Sequence, residues 1–280
     1  MKTIIKRHSN KNQYILTPQG HWCRDFTKKI FPQDINSFVG GSDVHLLASN
    51  ELTVKSMNIA NIDTEFIRAP NVCIVSDGYK FKESRSLLKT LPRNVIVIGV
   101  NRSLANWDSD LRMDYFLNNN PYAEAMAQMP TGNYVPKCIV SCRVYPEFVK
   151  RYRMRRGLVY KYVPTKDREY GGTTNAIYYI DDYRNPICAS IGLAYRWGAR
   201  KVMLFCCDDV FEGERPGSVL LENGLHMYPQ HTTAHGFIEG CLYWLKRQEY
   251  NPVEVVNFSK GLNYEEVPYI NEEEVSKFFK

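Results

Sequence analysis

Gly171 to Asp209 reads GGTTNAIYYIDDYRNPICASIGLAYRWGARKVMLFCCDD, and in it a capped helix, a buried strand and an acidic strand end follow one another. Asn185 is placed to cap a helix that opens at Pro186, where the missing N–H is no loss and φ is already helical. Ile187, Ile191 and Ala194 fall on one face of that helix. Gly198 supplies a left-handed residue at its end. The β-rich run Val202 to Cys206 then stops at Asp208 and Asp209. In open parallel α/β sheets, ligands bind outside the carboxyl ends of the strands, so these two aspartates stand where chemistry is usually done.

Outward from this stretch the pattern repeats. Strands are expected at Val72 to Val75, Val95 to Val100, Tyr115 to Leu117, Cys138 to Ser141 and Val253 to Phe258. Helices are expected near Glu83 to Leu91, from Asn120-Pro121, after Pro146, from Thr233 to Arg247, and after Asn271, with Glu274 placed for a capping box. Such alternation predicts an α/β fold, a doubly wound, mostly parallel Rossmann-like sheet covered on both faces. Residues 1–70 are irregular in pattern, broken at Gly40-Gly41, and read as an N-terminal extension or small lobe, or an added sheet edge, with the transferase-like unit at 71–280. A long loop rich in Gly and Pro joins Asp209 to Tyr228.

The carboxyl ends of these strands carry Ser76-Asp77-Gly78, Asn101-Arg102-Ser103, Asn118-Asn119-Asn120, Ser141-Cys142-Arg143 and Asp208-Asp209. Each triplet alone is an ordinary way to turn a chain. Together they would converge on one rim, where amides, hydroxyls and free N–H groups suit the phosphates, ribose and base of a nucleotide.

The 280 residues are 44% hydrophobic and 24% charged, enough to bury one large core. No apolar run approaches the roughly 20 residues of a bilayer span, and the start MKTIIKRHSNKNQ lacks the apolar core of a signal peptide. The expected location is therefore intracellular, cytoplasmic, without membrane contact. Cys73, Cys138, Cys142, Cys206 and Cys207 lie in or beside apolar runs and read as reduced, buried thiols, with Cys206 and Cys207 facing opposite sides of their strand.

The net charge of +6 is unevenly placed. Between Arg143 and Arg168 stand nine basic residues against two acidic ones, with Tyr145, Tyr152, Tyr160 and Tyr162 interleaved. A solvated basic helix beside a core strand is the commoner meaning of such a run. A polyanion with stackable bases is the sharper one, and it makes Arg143, Arg151 and Arg155 candidate acceptor-binding residues.

Several short motifs carry a family resemblance, in order. They are Val72 to Val75 with Ser76-Asp77-Gly78-Tyr79, Val97 to Val100 with Asn101-Arg102-Ser103-Leu104, Met113-Asp114-Tyr115-Phe116, Gly171-Gly172-Thr173, Leu193 to Ala199, and Asp209-Val210. From about Asn71 to Leu245 the chain resembles the Rossmann-like superfamily of archaeal 6-hydroxymethylpterin pyrophosphokinases and motility-accessory flagellin glycosyltransferases, and more distantly the bacterial sialyltransferases. Ser76-Asp77-Gly78-Tyr79 departs from that family's Gly-Pro-Ser turn, and Cys207 stands where a glycine is usual. The resemblance implies a nucleotide-dependent transferase and leaves two donors open, ATP and a cytidine-activated sugar.

Transfer to a hydroxyl needs a base and a group that neutralises the departing phosphate. Asp209, Asp208, His231 and His226 are the catalytic candidates, and the two aspartates are also candidates to hold Mg²⁺. His235 lies four residues beyond His231, but HTTAH lacks the glutamate of a zinc-protease helix. Ser76, Asp77, Gly78, Asn101, Arg102, Asn119, Gly171, Gly172 and Thr173 are the donor-binding candidates, and Arg102, Arg143 or Lys80 would neutralise phosphate. The leading expectation is a glycosyltransferase that moves a sugar from a nucleotide sugar to a hydroxyl acceptor. The basic segment points to nucleic acid as that acceptor, a modified base in DNA of the kind made by viruses that sugar-coat their genomes. An ATP- and Mg²⁺-dependent pyrophosphokinase acting on a small heterocyclic alcohol is the alternative enzyme. A nucleic-acid-binding module on a non-catalytic transferase fold is the alternative outside enzymes.

Overall fold

The computed structural model describes residues 14–16, 22–24, 41–164, 180, 185–248, 252–265 and 267–280. Its strands, in chain order, are β1 (Tyr14–Leu16), β2 (Trp22–Arg24), β3 (Ala60–Asn61), β4 (Asn71–Val75), β5 (Val95–Val100), β6 (Tyr115–Asn118), β7 (Lys137–Ser141), β8 (Val159–Tyr162), β9 (Lys201–Phe205), β10 (Val210–Phe211), β11 (Val219–Leu220), β12 (His226–Met227) and β13 (Glu254–Phe258). Eight of them form one sheet in the order β13-β9-β4-β5-β6-β7-β8-β3, and every neighbouring pair is parallel. The expected doubly wound α/β sheet is present.

Both faces of this sheet are buried, which is why its strands read as continuous apolar runs rather than alternating ones. On one face Val72, Ile74, Ile98, Leu117, Val202 and Leu204 pack against the Pro186–Arg196 and Pro229–Lys246 helices. On the other, Cys73, Val75, Val97, Met203 and Phe205 meet Phe81, Leu88 and Val275. Farther along that second face, Phe116, Cys138 and Val140 meet Phe148 and Tyr152 of the Pro146–Met154 helix. Cys207 belongs to the first face and Cys206 to the second, although both lie just past β9 and Cys206 shares its face with Phe205. Burial pushes the thiols of Cys73, Cys138, Cys206 and Cys207 well up. They are inert, packed side chains.

The deciding stretch folds as its sequence dictates. Asn185 accepts from the N–H groups of Ile187 at 2.8 Å and Cys188 at 3.4 Å, with Pro186 in the first turn. Ile187, Ile191, Leu193 and Ala194 are buried, and each large one contributes about 1.5–3 kcal/mol relative to exposure. Gly198 takes φ 78° and ends the helix. The last helix, Glu272–Phe278, has the Asn271–Glu274 capping box complete.

Several elements differ from the sequence reading. Residues 41–56 form a helix of four turns where an irregular pattern was expected. Its inward stripe, Leu47, Asn50 and Val54, includes an asparagine that donates to the carbonyls of Pro121 at 2.9 Å and Arg143 at 3.2 Å, while Leu52 is exposed. Those two features cancel the helical hydrophobic period. Ala60–Asn61 then pairs with β8 as the outermost strand. The expected helix at 83–91 is a short α-turn, Phe81–Ser84, continued as a 3₁₀ helix over Arg85–Thr90. Asn120-Pro121 leads into a 3₁₀ helix that begins only at Ala123, because the Asn118 and Asn120 side chains accept from the N–H groups of Asn120 and Tyr122, both at 2.9 Å, and hold the chain in turns. The Pro- and Gly-rich loop after Asp209 contains a small antiparallel sheet in the order β10-β12-β11. Among the described residues, no helix is long and apolar enough to cross a membrane.

Candidate functional site

Sheet order decides where the site lies. From β4 the chain steps outward through β5, β6, β7 and β8, then returns to the other side of β4 as β9 and steps away again as β13. The direction reverses between β4 and β9, and the crevice outside their carboxyl ends is the topological switch point. Ser76-Asp77-Gly78 leaves β4 there, and Cys206 to Asp209 leaves β9.

The two exits are laced together. Ser76 N–H donates to Phe205 O and Gly78 N–H to Cys206 O, both at 3.0 Å. A Cβ at Gly78 would overlap the carbonyl oxygens of Cys206 and Asp208 and lie 2.8 Å from Asp208 Oδ1. Only glycine lets the β4 turn lie this close. Lys80, Asn101 and Cys206, at φ 60°, 55° and 50°, hold left-handed backbones at the exits of β4, β5 and β9. A non-glycine residue in that region costs on the order of 1–3 kcal/mol, less for asparagine, and such strain gathers at functional sites.

Asp208 is buried at the centre of this lacing. Its Oδ1 accepts from Tyr79 N–H at 2.7 Å and its Oδ2 from the Ser259 hydroxyl. Ser259 Oγ in turn accepts from Gly261 N–H at 3.1 Å. Burial pushes the Asp208 carboxyl up to about 6, against the downward pull of the Ser259 and Tyr79 bonds. Asp208 therefore fastens the ends of β4, β9 and β13 to one another, with both of its oxygens engaged.

Asp77 and Asp209 flank it, each half-buried. Asp77 Oδ1 accepts from Arg102 N–H at 3.1 Å, which joins the β5 exit to the β4 exit. Burial, together with the charge of Asp209, raises the Asp77 carboxyl above its ordinary range. Asn101 Nδ2 donates to Ser76 Oγ at 3.0 Å, a second tie between the same exits. Ser76, Asp77, Gly78, Asn101, Arg102, Asp208 and Asp209 thus share one connected rim.

The histidines stand differently. His231 Nδ1 lies 3.4 Å from the carbonyl oxygen of Asp209, so it adjoins the rim. His226 sits on the small sheet, stacked on Phe211 with its Nδ1 3.3 Å from Ser218 Oγ. His235 is buried, stacked on Tyr264 and 3.5 Å from Glu239. The small sheet is tied to the β4 exit, because Glu212, just past β10, accepts from the Tyr79 hydroxyl and pairs with Lys80 at 3.4 Å.

Asn119 stands just past β6 and is buried. The basic candidates lie away from the aspartates. Arg143 pairs with Glu51 at 3.1 Å and Arg151 with Glu147 at 3.2 Å, while Arg155 donates to the carbonyls of Pro130 and Gly132. Tyr152 and Tyr162 are fully buried, so neither ring is open to a stacking base. Four inter-strand spacings, about 19 Å, separate β7, from whose exit the basic helix starts, from β9. Gly171, Gly172 and Thr173 lie outside the described residues.

Sequence reading passed over Ser259, Gly261 and Tyr264, whose hydroxyl donates to Cys207 O. A signal for the first two was present. Ser259-Lys260-Gly261 follows the apolar run of β13 just as Ser76-Asp77-Gly78 follows that of β4.

No family model matches this chain, and no curated protein does so either. Among the described residues, no group of three or more His, Cys, Asp and Glu side chains is arranged to hold a metal ion.

Proposed function

We propose that this chain is a nucleotide-dependent transferase whose donor lies across the β4/β9 crevice, most simply a glycosyltransferase using a nucleotide sugar. The observation that carries this reading is that Asp77 and Asp209 both sit at the switch point, near enough for the charge of Asp209 to act on Asp77, on turns that Gly78 lets pack together. Asp209 is the acid–base group in this reading. As the acceptor oxygen bonds to the anomeric carbon, Asp209 takes the acceptor's proton, and the bond from that carbon to the donor phosphate breaks with its electron pair leaving on the phosphate. Arg102 and Asn101 face the donor, with Ser76 buried behind them holding Asn101, and His231 supports Asp209 through its carbonyl. Asp208, with both oxygens engaged, positions the exits.

The same pair of carboxylates favours a second reading. Mg²⁺ is usually held through one or two carboxylates plus substrate phosphates, and Asp77 and Asp209 are the carboxylates left for it. Such an ion would neutralise charge on a transferring phosphate, as an ATP-dependent pyrophosphokinase needs. For the acceptor, the exposed Lys150, Arg151, Arg153 and Arg156 support a polyanion, a nucleic acid gripped at a distance from the reacting atoms.

Thermal stabilisation by a panel of nucleotide sugars, and by ATP with and without Mg²⁺, tests the choice. A shift with a sugar nucleotide supports the first reading. A shift with ATP only when Mg²⁺ is present supports the second, and no shift with any of them removes both.

A further inference from the structure

The rim around the switch point has two unlike halves. At β4, β9 and β13 it is acidic, with Asp77, Asp208 and Asp209. At β5 it carries Asn101 and Ser103 on either side of the cation Arg102, and at β6 it is built from neutral amides alone, Asn118, Asn119 and Asn120. At the β6 exit, the side-chain Nδ2 groups of Asn118 and Asn119 are buried and have no hydrogen-bond partner among the described residues, although the two residues are only 1% and 7% exposed. Buried donors are nearly always paired, because an unpaired one forfeits its bond to water with nothing in return.

The two amides differ in what surrounds them. Asn118 is already held, its Oδ1 accepting from Asn120 N–H at 2.9 Å. Asn119 follows it just past the end of β6, next after Leu117 and Asn118, and Leu117 lies on the face against which the Pro186–Arg196 helix packs. That helix begins at the same rim, since it runs back toward the amino end of β9. Its first free N–H groups, on Ile187 and Cys188, are both taken by Asn185. The helix end therefore has no spare donor for a phosphate, while the uncharged amide of Asn119, at the neighbouring β6 exit, is a donor without a partner among the described residues. From β6 to β9 is three inter-strand spacings, about 14 Å. An extended nucleotide covers that span from base to phosphate, whereas a phosphate or a single sugar does not.

We infer that Asn119 reads the base of the donor nucleotide. Its amide N–H donates to a carbonyl oxygen or ring nitrogen of a nucleobase seated at the ends of β5 and β6, while the phosphates and the transferred group extend toward Asp209. This rests on the nucleotide-transferase reading and adds to it which end of the donor lies where. Neutral amides suit a neutral acceptor atom, and placing the phosphates at the acidic end is consistent with an Asp77–Asp209 pair that takes a cation.

Calorimetric titration with the diphosphates of adenosine, cytidine, guanosine and uridine, and with inorganic pyrophosphate, each with Mg²⁺, tests this. The expected result is that one nucleoside diphosphate binds at least tenfold more tightly than pyrophosphate. Asn119→Ala should abolish that preference while leaving pyrophosphate affinity unchanged. Asn119→Asp, of the same shape but with an acceptor in place of the donor, should lose at least as much. A nucleoside diphosphate that binds tightly and equally to the unaltered protein and to a folded Asn119→Asp overturns the base-reading role and leaves the transferase reading standing. If no nucleoside diphosphate binds to the unaltered protein, the transferase reading itself is overturned. Melting curves establish which variants are folded, and Asn119→Asp carries the test if Asn119→Ala is not.

Discussion

The hydroxyl of Ser259, at the exit of β13, donates to the carboxylate of Asp208, at the exit of β9. The two residues are neighbours only because β13 and β9 run side by side in register from Glu254 and Lys201 to Phe258 and Phe205. Tyr79 N–H holds the other oxygen of the same carboxylate, so one buried acid ties three strand exits.

That acid makes stability depend on pH. Its carboxyl titrates at about 6 in the fold against 3.8 when unperturbed. Between those values the folded chain keeps a proton that the unfolded chain has released, so Asp208 favours folding most at low pH and this contribution is lost as pH rises through 6. The loss amounts to about 3 kcal/mol. Asp208→Asn cannot titrate, so its stability relative to the unaltered protein should rise by about that amount from about pH 4 to about pH 7. Urea denaturation at both values checks it, and a difference that stays constant refutes it.

Gly78→Ala should be strongly destabilising. The added methyl would meet backbone carbonyls rather than a side chain that can swing away, and overpacking of this kind costs about 1–3 kcal/mol or more. Gly132, with nothing near its Cβ position, serves as the comparison, and Gly132→Ala should be close to neutral. Equal melting temperatures for the two variants would mean that the β4 and β9 exits are not packed as described.

Asp209→Asn keeps the shape of a half-buried side chain and removes its charge. Turnover with the donor identified in the panel should fall at least tenfold, with the melting temperature nearly unchanged. Full activity in the variant would remove Asp209 from the chemistry, and unfolding would make it a structural cap.

Arg151 and Arg155 should separate cleanly although they lie four residues apart. Arg155 is anchored to the carbonyls of Pro130 and Gly132, so Arg155→Ala should lower the melting temperature by a few degrees. Arg151 is exposed and pairs with Glu147 on its own helix. If the helix grips duplex DNA, Arg151→Ala should leave stability unchanged and reduce the slope of log affinity against log salt by about 0.9. An unaltered slope removes Arg151 from any such interface.

Much of the fold was legible because its central strands are buried on both faces and its helices carry local punctuation. Asn185-Pro186, Gly198 and the Asn271–Glu274 box could be read letter by letter, since caps are decided by a few adjacent residues. The Gly41–Ser56 helix was hidden because one of its inward positions is Asn50, satisfied by carbonyls 71 and 93 residues away. β8 was hidden by its charge, since Lys161 sits among Val159, Tyr160 and Tyr162 and the run reads as part of a basic segment. The rim residues could be nominated from strand ends. Their roles could not, because the difference between a buried Asp208 and a half-buried Asp209 is set by Tyr79 and Ser259, which the chain brings in from far away.

The adjacency of β4 and β9 also bears on how the molecule is made. Val75 and Phe205 lie opposite one another in the sheet although 130 residues separate them, a distant pairing of the kind that forms slowly because the intervening chain must be closed first. During synthesis β4 emerges long before its partner, and the turn at Gly78 then has no Cys206 carbonyl to rest on. The crevice therefore comes into being only when the whole central sheet has assembled. A nascent or truncated chain that stops short of β9 carries half a rim, so any activity of this site reports on completed folding as directly as it does on chemistry.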